Sequence, residues 1–388
     1  MYTDITKVSQ MAKQHKKNNP FVIDTTSGVF IDESFAIGYS KTFDNLADTL
    51  VPLLKYNYGG VSGGAKFQKN FIRWLFGDEE LSVPLTPFAT MGATGALSNT
   101  LDIYGKPGKS ILTTDLFWHN YELMANTHQM HLVTFPFTVE GTFNQQGFKE
   151  TIDKIVARED SLIFILNQPA HNPTGYSLSK TEMQNLLEIL GSIQKEVILL
   201  YDIAYLDLAK EKSHFDLLFN TKENIKVIMA YSFSKSLGLY GLRLGASALV
   251  GGTPQEREYF NEQNYLLSRT KWNSPNQVAV NTFNLIMESE ENIKSVKSEI
   301  SGVKETLKQR SAYLINFLNE NNIPYYPYSD GFFVTIKTSN PVALFEQFRN
   351  HLIYPIVVNK GIRIAIAPLP MQVLEDLCQR MKVIDFSV

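Results

Sequence analysis

Between residues 110 and 250 short apolar runs alternate with amphipathic stretches. The segments 110–114, 131–135, 162–166, 197–201, 227–231 and 246–250 are each apolar and bounded by polar or turn residues. That is the pattern of strands buried on both faces. Between them, 117–128, 147–157 and 179–194 carry helical periodicity. Buried strands alternating with helices predict an α/β fold, a mainly parallel sheet sandwiched by helices. Upstream, the pattern predicts a polar helix over 1–20 ending near Pro20 and extended pieces at 21–24 and 28–33. Helices follow over 44–56, with Leu46, Leu50, Leu53 and Leu54 on one face, and over 65–76. Downstream, 276–320 reads as one long, increasingly charged helical spine. The rest reads as a small α+β unit, with strands at 331–336, 356–358 and 362–366 and helices at 341–351 and 370–382. There is no internal repeat or low-complexity tract.

Composition narrows the function classes. With 388 residues, 44% hydrophobic and 19% charged, the chain can bury a sizeable core, and its length suits two or three domains, or one large domain with a smaller one attached. A net charge of -3 marks no nucleic-acid binder. The basic run Lys13-Gln14-His15-Lys16-Lys17 reads as a solvated helix face. A single cysteine, Cys378, excludes an intrachain disulfide and a cysteine-built metal site, and no HExxH-like spacing occurs, so no metal is expected. The start, Met1-Tyr2-Thr3-Asp4, opens no apolar signal-type region, and no run of about 20 apolar residues exists. No membrane span and a cytoplasmic location are the expectation.

Candidate chemistry gathers where such sheets bind ligands, at the carboxyl ends of their strands. Asn172 follows the strand at 162–166, Asp202 and Tyr205 follow 197–201, and Lys235 follows 227–231. Burial lowers a lysine's pKa, and a neutral amine can form a Schiff base with a carbonyl. Ser232, Ser234 and Arg243 lie close to it in sequence and suit a dianionic phosphate beside that imine. Together they suggest pyridoxal phosphate. Taken alone, Ser-x-x-Lys also opens some serine hydrolase motifs, and many lysines after strands are solvated. The stretch 59–64 has four glycines in six residues, which suits either a flexible surface loop or a close backbone approach to a ligand or partner subunit. Gly92-Ala93-Thr94-Gly95 opens a helix and offers free N–H groups to a phosphate. It lacks the Walker lysine and the full GxGxxG spacing, which speaks against ATP and NAD.

Four items line up in order: Thr94 in the glycine turn, Asn172-Pro173-Thr174-Gly175, Asp202-Ile203-Ala204-Tyr205, and Ser232-x-x-Lys235 with Arg243. Jointly they resemble the class I aminotransferases of pyridoxal phosphate fold type I, over nearly the whole chain. The resemblance implies a segment 1–40 packing with the small domain, a large cofactor domain at 41–300 and a small C-terminal domain at 301–388. It implies pyridoxal 5′-phosphate bound by Lys235, which would also shuttle the substrate proton. Asp202 would face the ring nitrogen, and Asn172 and Tyr205 the ring oxygen. Ala93, Thr94, Ser232 and Arg243 would hold the phosphate. Trp118 would stack on the ring, and Tyr58 would reach across a homodimer to the partner's phosphate. Arg363 would grip the substrate α-carboxylate, and Gly28 would sit near the substrate on a mobile segment.

The register Arg269-Thr270-Lys271-Trp272-Asn273-Ser274-Pro275 resembles the aspartate and aromatic amino acid subgroup, in which Arg269 would meet a side-chain carboxylate from the other subunit. The implied reaction moves an amino group between an L-amino acid, aspartate or aromatic, and a 2-oxo acid such as 2-oxoglutarate, in a ping-pong cycle. Two alternatives share the same cofactor residues: a carbon–sulfur β-lyase, and a non-catalytic cofactor-binding regulator. Several positions depart from the subgroup. Gly92 and Ala93 stand for Ser-Gly, Tyr121 for a histidine behind the ring aspartate, Asn273 for a serine and Leu237 for a phenylalanine.

Overall fold

The computed structural model describes residues 4–210 and 214–387. Its centre is a seven-stranded sheet built from β1 (Leu85–Met91), β2 (Ser110–Thr114), β3 (His131–Phe135), β4 (Ser161–Asn167), β5 (Glu196–Asp202), β6 (Ile225–Ser232) and β7 (Leu244–Val250). The spatial order is β1-β7-β6-β5-β4-β2-β3. Only β7 runs against its neighbours, antiparallel to both β1 and β6. The sheet is therefore mixed, but mainly parallel, as the apolar runs require.

The pleat explains why those runs are continuous rather than alternating. Val197, Leu199 and Tyr201 of β5 pack into one apolar cluster, with Val227, Met229 and Tyr231 of β6. Their neighbours Ile198, Leu200, Ile228 and Ala230 point the other way into a second cluster. Both faces are covered, so every position must be apolar.

Three expected helices come out differently. The stretch 44–56 is two helices, Lys41–Thr49 and Pro52–Tyr56. Proline lacks the N–H and disfavours helix in the residue before it, and both Leu50 and Val51 are extended. Leu50 is buried while Leu53 and Leu54 are exposed, so the four leucines do not share a face. The spine 276–320 is also two helices, Gln277–Ile286 and Glu290–Glu320, the second capped by Ser289 accepting the Asn292 N–H. The first helix runs over Ile5–Lys16, capped by Asp4; positions 1–3 lie outside the described residues.

The C-terminal unit is a three-stranded antiparallel sheet of β8 (Phe333–Lys337), β9 (Ile356–Val358) and β10 (Gly361–Ala365), in the order β8-β10-β9. Helices Pro341–Asn350 and Met371–Met381 accompany it. The N-terminal segment is sewn to this unit. Ile23–Asp24 pairs in parallel with Ile353–Tyr354, Ala365 donates its N–H to Thr25 O at 3.1 Å, and Ile31 donates to Ala367 O at 3.0 Å. Among the described residues no helix is long and apolar enough to cross a membrane.

Candidate active site

The carboxyl ends of β4, β5 and β6 lie side by side, and each ends in a polar residue: Asn167, Asp202 and Ser232. Asn167 and Asp202 are register partners. The Asn167 amide donates to Asp202 O at 2.9 Å, and its Oδ1 accepts the Asn172 N–H at 2.7 Å. One side chain at a strand end thus pins the following turn over the sheet edge and brings Asn172 beside Asp202.

These strand ends open into a cavity of about 330 Å³. Gly28, Ala93, Thr94, Trp118, Asn172, Asp202, Tyr205, Ser232, Lys235, Arg243 and Arg363 all line it. The sequence scatters these residues over more than 300 positions, and the fold brings them to one place. Tyr58 and Arg269 do not line it. Both are exposed, and Arg269 donates to the Asn273 side chain.

Lys235 stands on a single helical turn, Phe233–Ser236, directly after β6. Its Nζ donates to Gly28 O at 2.7 Å. The rings of Tyr240, Phe332 and Tyr205 surround it at 5.2, 5.5 and 5.8 Å. Burial, and then the cations Arg243 and Arg363, push its pKa down to about 7, with Asp202 opposing. Asp202 is enclosed, and burial pushes its carboxyl up to about 6. Tyr121 Oη donates to Oδ2 at 2.5 Å and Ala204 N–H to Oδ1 at 3.1 Å, both pulling the other way. Tyr205 is buried against Phe332 and Phe333, and desolvation raises its phenol.

Two arginines frame the amine. Arg243 donates from Nη1 to Ser234 Oγ at 2.9 Å and to Tyr240 O at 3.1 Å. Gly92 is required beside it: a Cβ there would fall 2.6 Å from Arg243 Nη2, and its φ is +65°. The guanidinium therefore lies against the opening of the helix Gly92–Tyr104, near Thr94 and Ser232. Arg363, on β10, is buried over the Phe333 ring at 4.4 Å. It donates to Thr26 O at 2.6 Å and to Asn172 Oδ1 at 3.3 Å, while its buried Nε has no partner. Burial lowers its pKa to about 10. Two fixed cations, a neutral-leaning amine and a buried carboxylate suit a ligand with two separate anionic groups and a basic ring atom.

Sequence reasoning missed Asn167, Tyr240 and Phe333. Asn167 was findable, because it ends a strand as Asp202 does. Tyr240 accepts the Phe30 N–H on its Oη at 2.8 Å, and that reach across 210 positions leaves no local trace. Phe333 reads as an ordinary core residue of its strand.

Comparison with known proteins gives the following. Residues 55–381 match the family model for aminotransferase class I and II. The mitochondrial aspartate aminotransferase of Schizosaccharomyces pombe is 23% identical over 276 residues, a match that covers 69% of this chain and 62% of that one, less than two thirds of its length. The aromatic-amino-acid aminotransferase of Paracoccus denitrificans is 26% identical over 227 residues, 56% of each chain. Among solved structures, an aminotransferase from Anaerococcus prevotii superposes with a TM-score of 0.92 at 27% identity, covering 97% of this chain and 95% of that one. The aromatic-amino-acid aminotransferase of Burkholderia pseudomallei, covalently bound to pyridoxal phosphate, shares the fold with a TM-score of 0.81 at 20% identity, covering 98% and 96%.

Proposed function

The chain belongs to the class I and II aminotransferase family, and from this premise we propose that it is a pyridoxal 5′-phosphate-dependent aminotransferase of the aspartate and aromatic amino acid subgroup. It moves an amino group between aspartate or an aromatic amino acid and a 2-oxo acid such as 2-oxoglutarate, in a ping-pong cycle. The observation that carries this is Lys235, which lines one cavity with the buried carboxylate of Asp202 and the buried guanidinium of Arg363 and has its pKa lowered to about 7.

The residues present fit the cofactor. The Arg243 guanidinium, the Ser232, Ser234 and Thr94 hydroxyls and the helix opening at Gly92 form an anion cradle that a side chain at Gly92 would fill. Asp202 is an enclosed acceptor suited to a protonated ring nitrogen, and Trp118 borders the same cavity. Bound there, pyridoxal phosphate supplies an electron-withdrawing ring that stabilises the charge left when the substrate loses its α-proton.

The chain's own residues do the rest. Arg363 binds the α-carboxylate, its free Nε marking unused donor capacity at that end. Asp202 keeps a positive charge on the ring side. Asn172 and Tyr205 orient the ring oxygen. Lys235, with its pKa lowered to about 7, has a substantial neutral fraction near pH 7 and would accept the substrate α-proton on Nζ and hold it for return. Arg269 and Tyr58, both turned to the surface, act on the site of a partner copy, Arg269 on a side-chain carboxylate and Tyr58 on the phosphate.

A half-reaction tests the reading. Purified protein loaded with the cofactor is mixed with one amino acid at a time and no 2-oxo acid. Aspartate, glutamate or an aromatic amino acid should bleach the cofactor's visible band and release one 2-oxo acid per site. A band that persists while a sulfur amino acid yields pyruvate and ammonia would replace the reading with a β-lyase. No response to any amino acid would leave a cofactor-binding regulator.

A further inference from the structure

Asp202 is 4% exposed, and the partners of its carboxylate are few. One oxygen takes a backbone N–H, that of Ala204 at 3.1 Å. The other takes a side-chain hydroxyl, that of Tyr121 at 2.5 Å. Tyr121 rides on the short helix Asn120–Thr127 that follows β2, is 1% exposed, and meets the Trp118 ring edge-on at 5.8 Å. The same short segment thus supplies a wall of the cavity and a donor behind its carboxylate.

The other titratable groups facing Asp202 are Lys235, whose amine favours the carboxylate, and Tyr205, whose phenol is raised by it. Arg363 bears on both Lys235 and Tyr205. Of the groups that favour the ionised form, the Tyr121 hydroxyl acts most strongly. Its own pKa is pushed well above 10 by burial and by Asp202, so it remains a proton donor throughout the neutral range.

We propose that Tyr121 is a positioning residue that aims the Asp202 carboxylate into the cavity and keeps it ionised for the cofactor's ring nitrogen, so that cofactor binding holds steady across neutral pH. The proposal rests on reading the cavity as a pyridoxal phosphate site. A charge-assisted hydrogen bond of this kind is the strong sort, and removing its donor leaves a buried carboxylate with less to keep it charged. A neutral phenol does this without adding a titration of its own, which an imidazole would.

The test is an equilibrium titration of cofactor-free protein with pyridoxal phosphate, followed by tryptophan fluorescence between about pH 5.5 and pH 9. Comparing variants at each pH cancels the titration of the ligand itself. Tyr121→Phe should bind roughly 10-fold or more weakly near pH 7, with the deficit shrinking as pH rises and Asp202 ionises unaided. Tyr121→His, which restores a donor, should recover much of the affinity but add a pH dependence between about 6 and 8. Tyr121→Phe with wild-type affinity at every pH would overturn the proposal. So would a uniform loss at all pH values joined to a lower melting temperature, which is what packing alone predicts. Should Tyr121→Phe not fold, a Tyr121→His profile identical to wild type overturns it equally. Failure of the wild-type protein to bind the cofactor would overturn the reading of the cavity, and the proposal with it.

Discussion

Lys235 and Asp202 are two titratable groups that the fold holds against their ordinary preferences, and cofactor-free protein should register this as a pH-dependent strain on stability. An amine lowered from 10.5 to about 7 binds its proton less tightly when folded. Between those two values the unfolded chain keeps the proton and the folded one does not, so stability rises with pH over that window. A carboxyl raised from 3.8 to about 6 binds its proton more tightly when folded, so stability falls as pH rises through that lower window. Near pH 7 both penalties are present. Lys235→Met removes the larger displacement and should raise the melting temperature of cofactor-free protein by roughly 1–3 °C at pH 7. The gain should shrink steadily toward pH 10. Melting curves across that range check it: a gain that stays constant with pH would mean that the amine is charged in the folded protein and that the desolvation account is wrong. This is the familiar exchange of stability for a reactive group.

At the scale of elements, the segment between residues 23 and 33 matters most, because it carries Gly28 onto Lys235 while being tied to the C-terminal sheet. Arg310 is the main tie. It lies fully buried on the helix Glu290–Glu320, over the Phe30 ring at 5.1 Å. It donates to Ile31 O and Ala367 O, both at 2.8 Å, and to Glu33 at 2.6 Å. Arg310→Met should lower unfolding stability by about 2–4 kcal/mol, because two buried carbonyls and a carboxylate lose their donor together. Glu33→Gln should lose only about 1 kcal/mol, since that side chain is half exposed and the amide still accepts. Urea midpoints measure both; equal values would mean the arginine is no clamp. None of this was legible in the sequence, where Arg310 reads as one more charge on a charged helix. What was legible depended on local rules. Strands β2 to β7 announce themselves as apolar runs because both faces are covered, and Lys235, Asp202 and Asn172 are found because they follow such runs. The break at Pro52 was overlooked although its cause is local. Tyr240, Phe333 and the Tyr121 hydroxyl belong to the site through contacts between distant segments, and no spacing in a single sequence reports those.

At the scale of the whole molecule, the single chain leaves exposed side chains that the proposed homodimer would account for. Leu53, Tyr56 and Tyr58 are 69%, 82% and 83% exposed, and Leu266 stands in solvent near the C-terminal end of the helix that carries Arg269. A second subunit docked over these side chains would remove their apolar area from water. The two residues expected to finish the cavity, Tyr58 and Arg269, are also exposed and outside it. The homodimer with shared sites proposed above would account for both facts at once. It makes a prediction that no monomer shares. Lys235→Ala and Arg269→Ala should each be nearly inactive toward a dicarboxylic amino acid. Unfolded together and refolded as a mixture, they form mixed dimers in which one site has its own Lys235 and receives Arg269 from the Lys235→Ala subunit. That site is whole. Random pairing puts half the molecules in mixed dimers with one good site in two, so about a quarter of the wild-type activity should return. Activity that never exceeds the mean of the two separate variants would mean that Arg269 serves its own subunit or none, and the shared-site account would fall while the role of Lys235 stood.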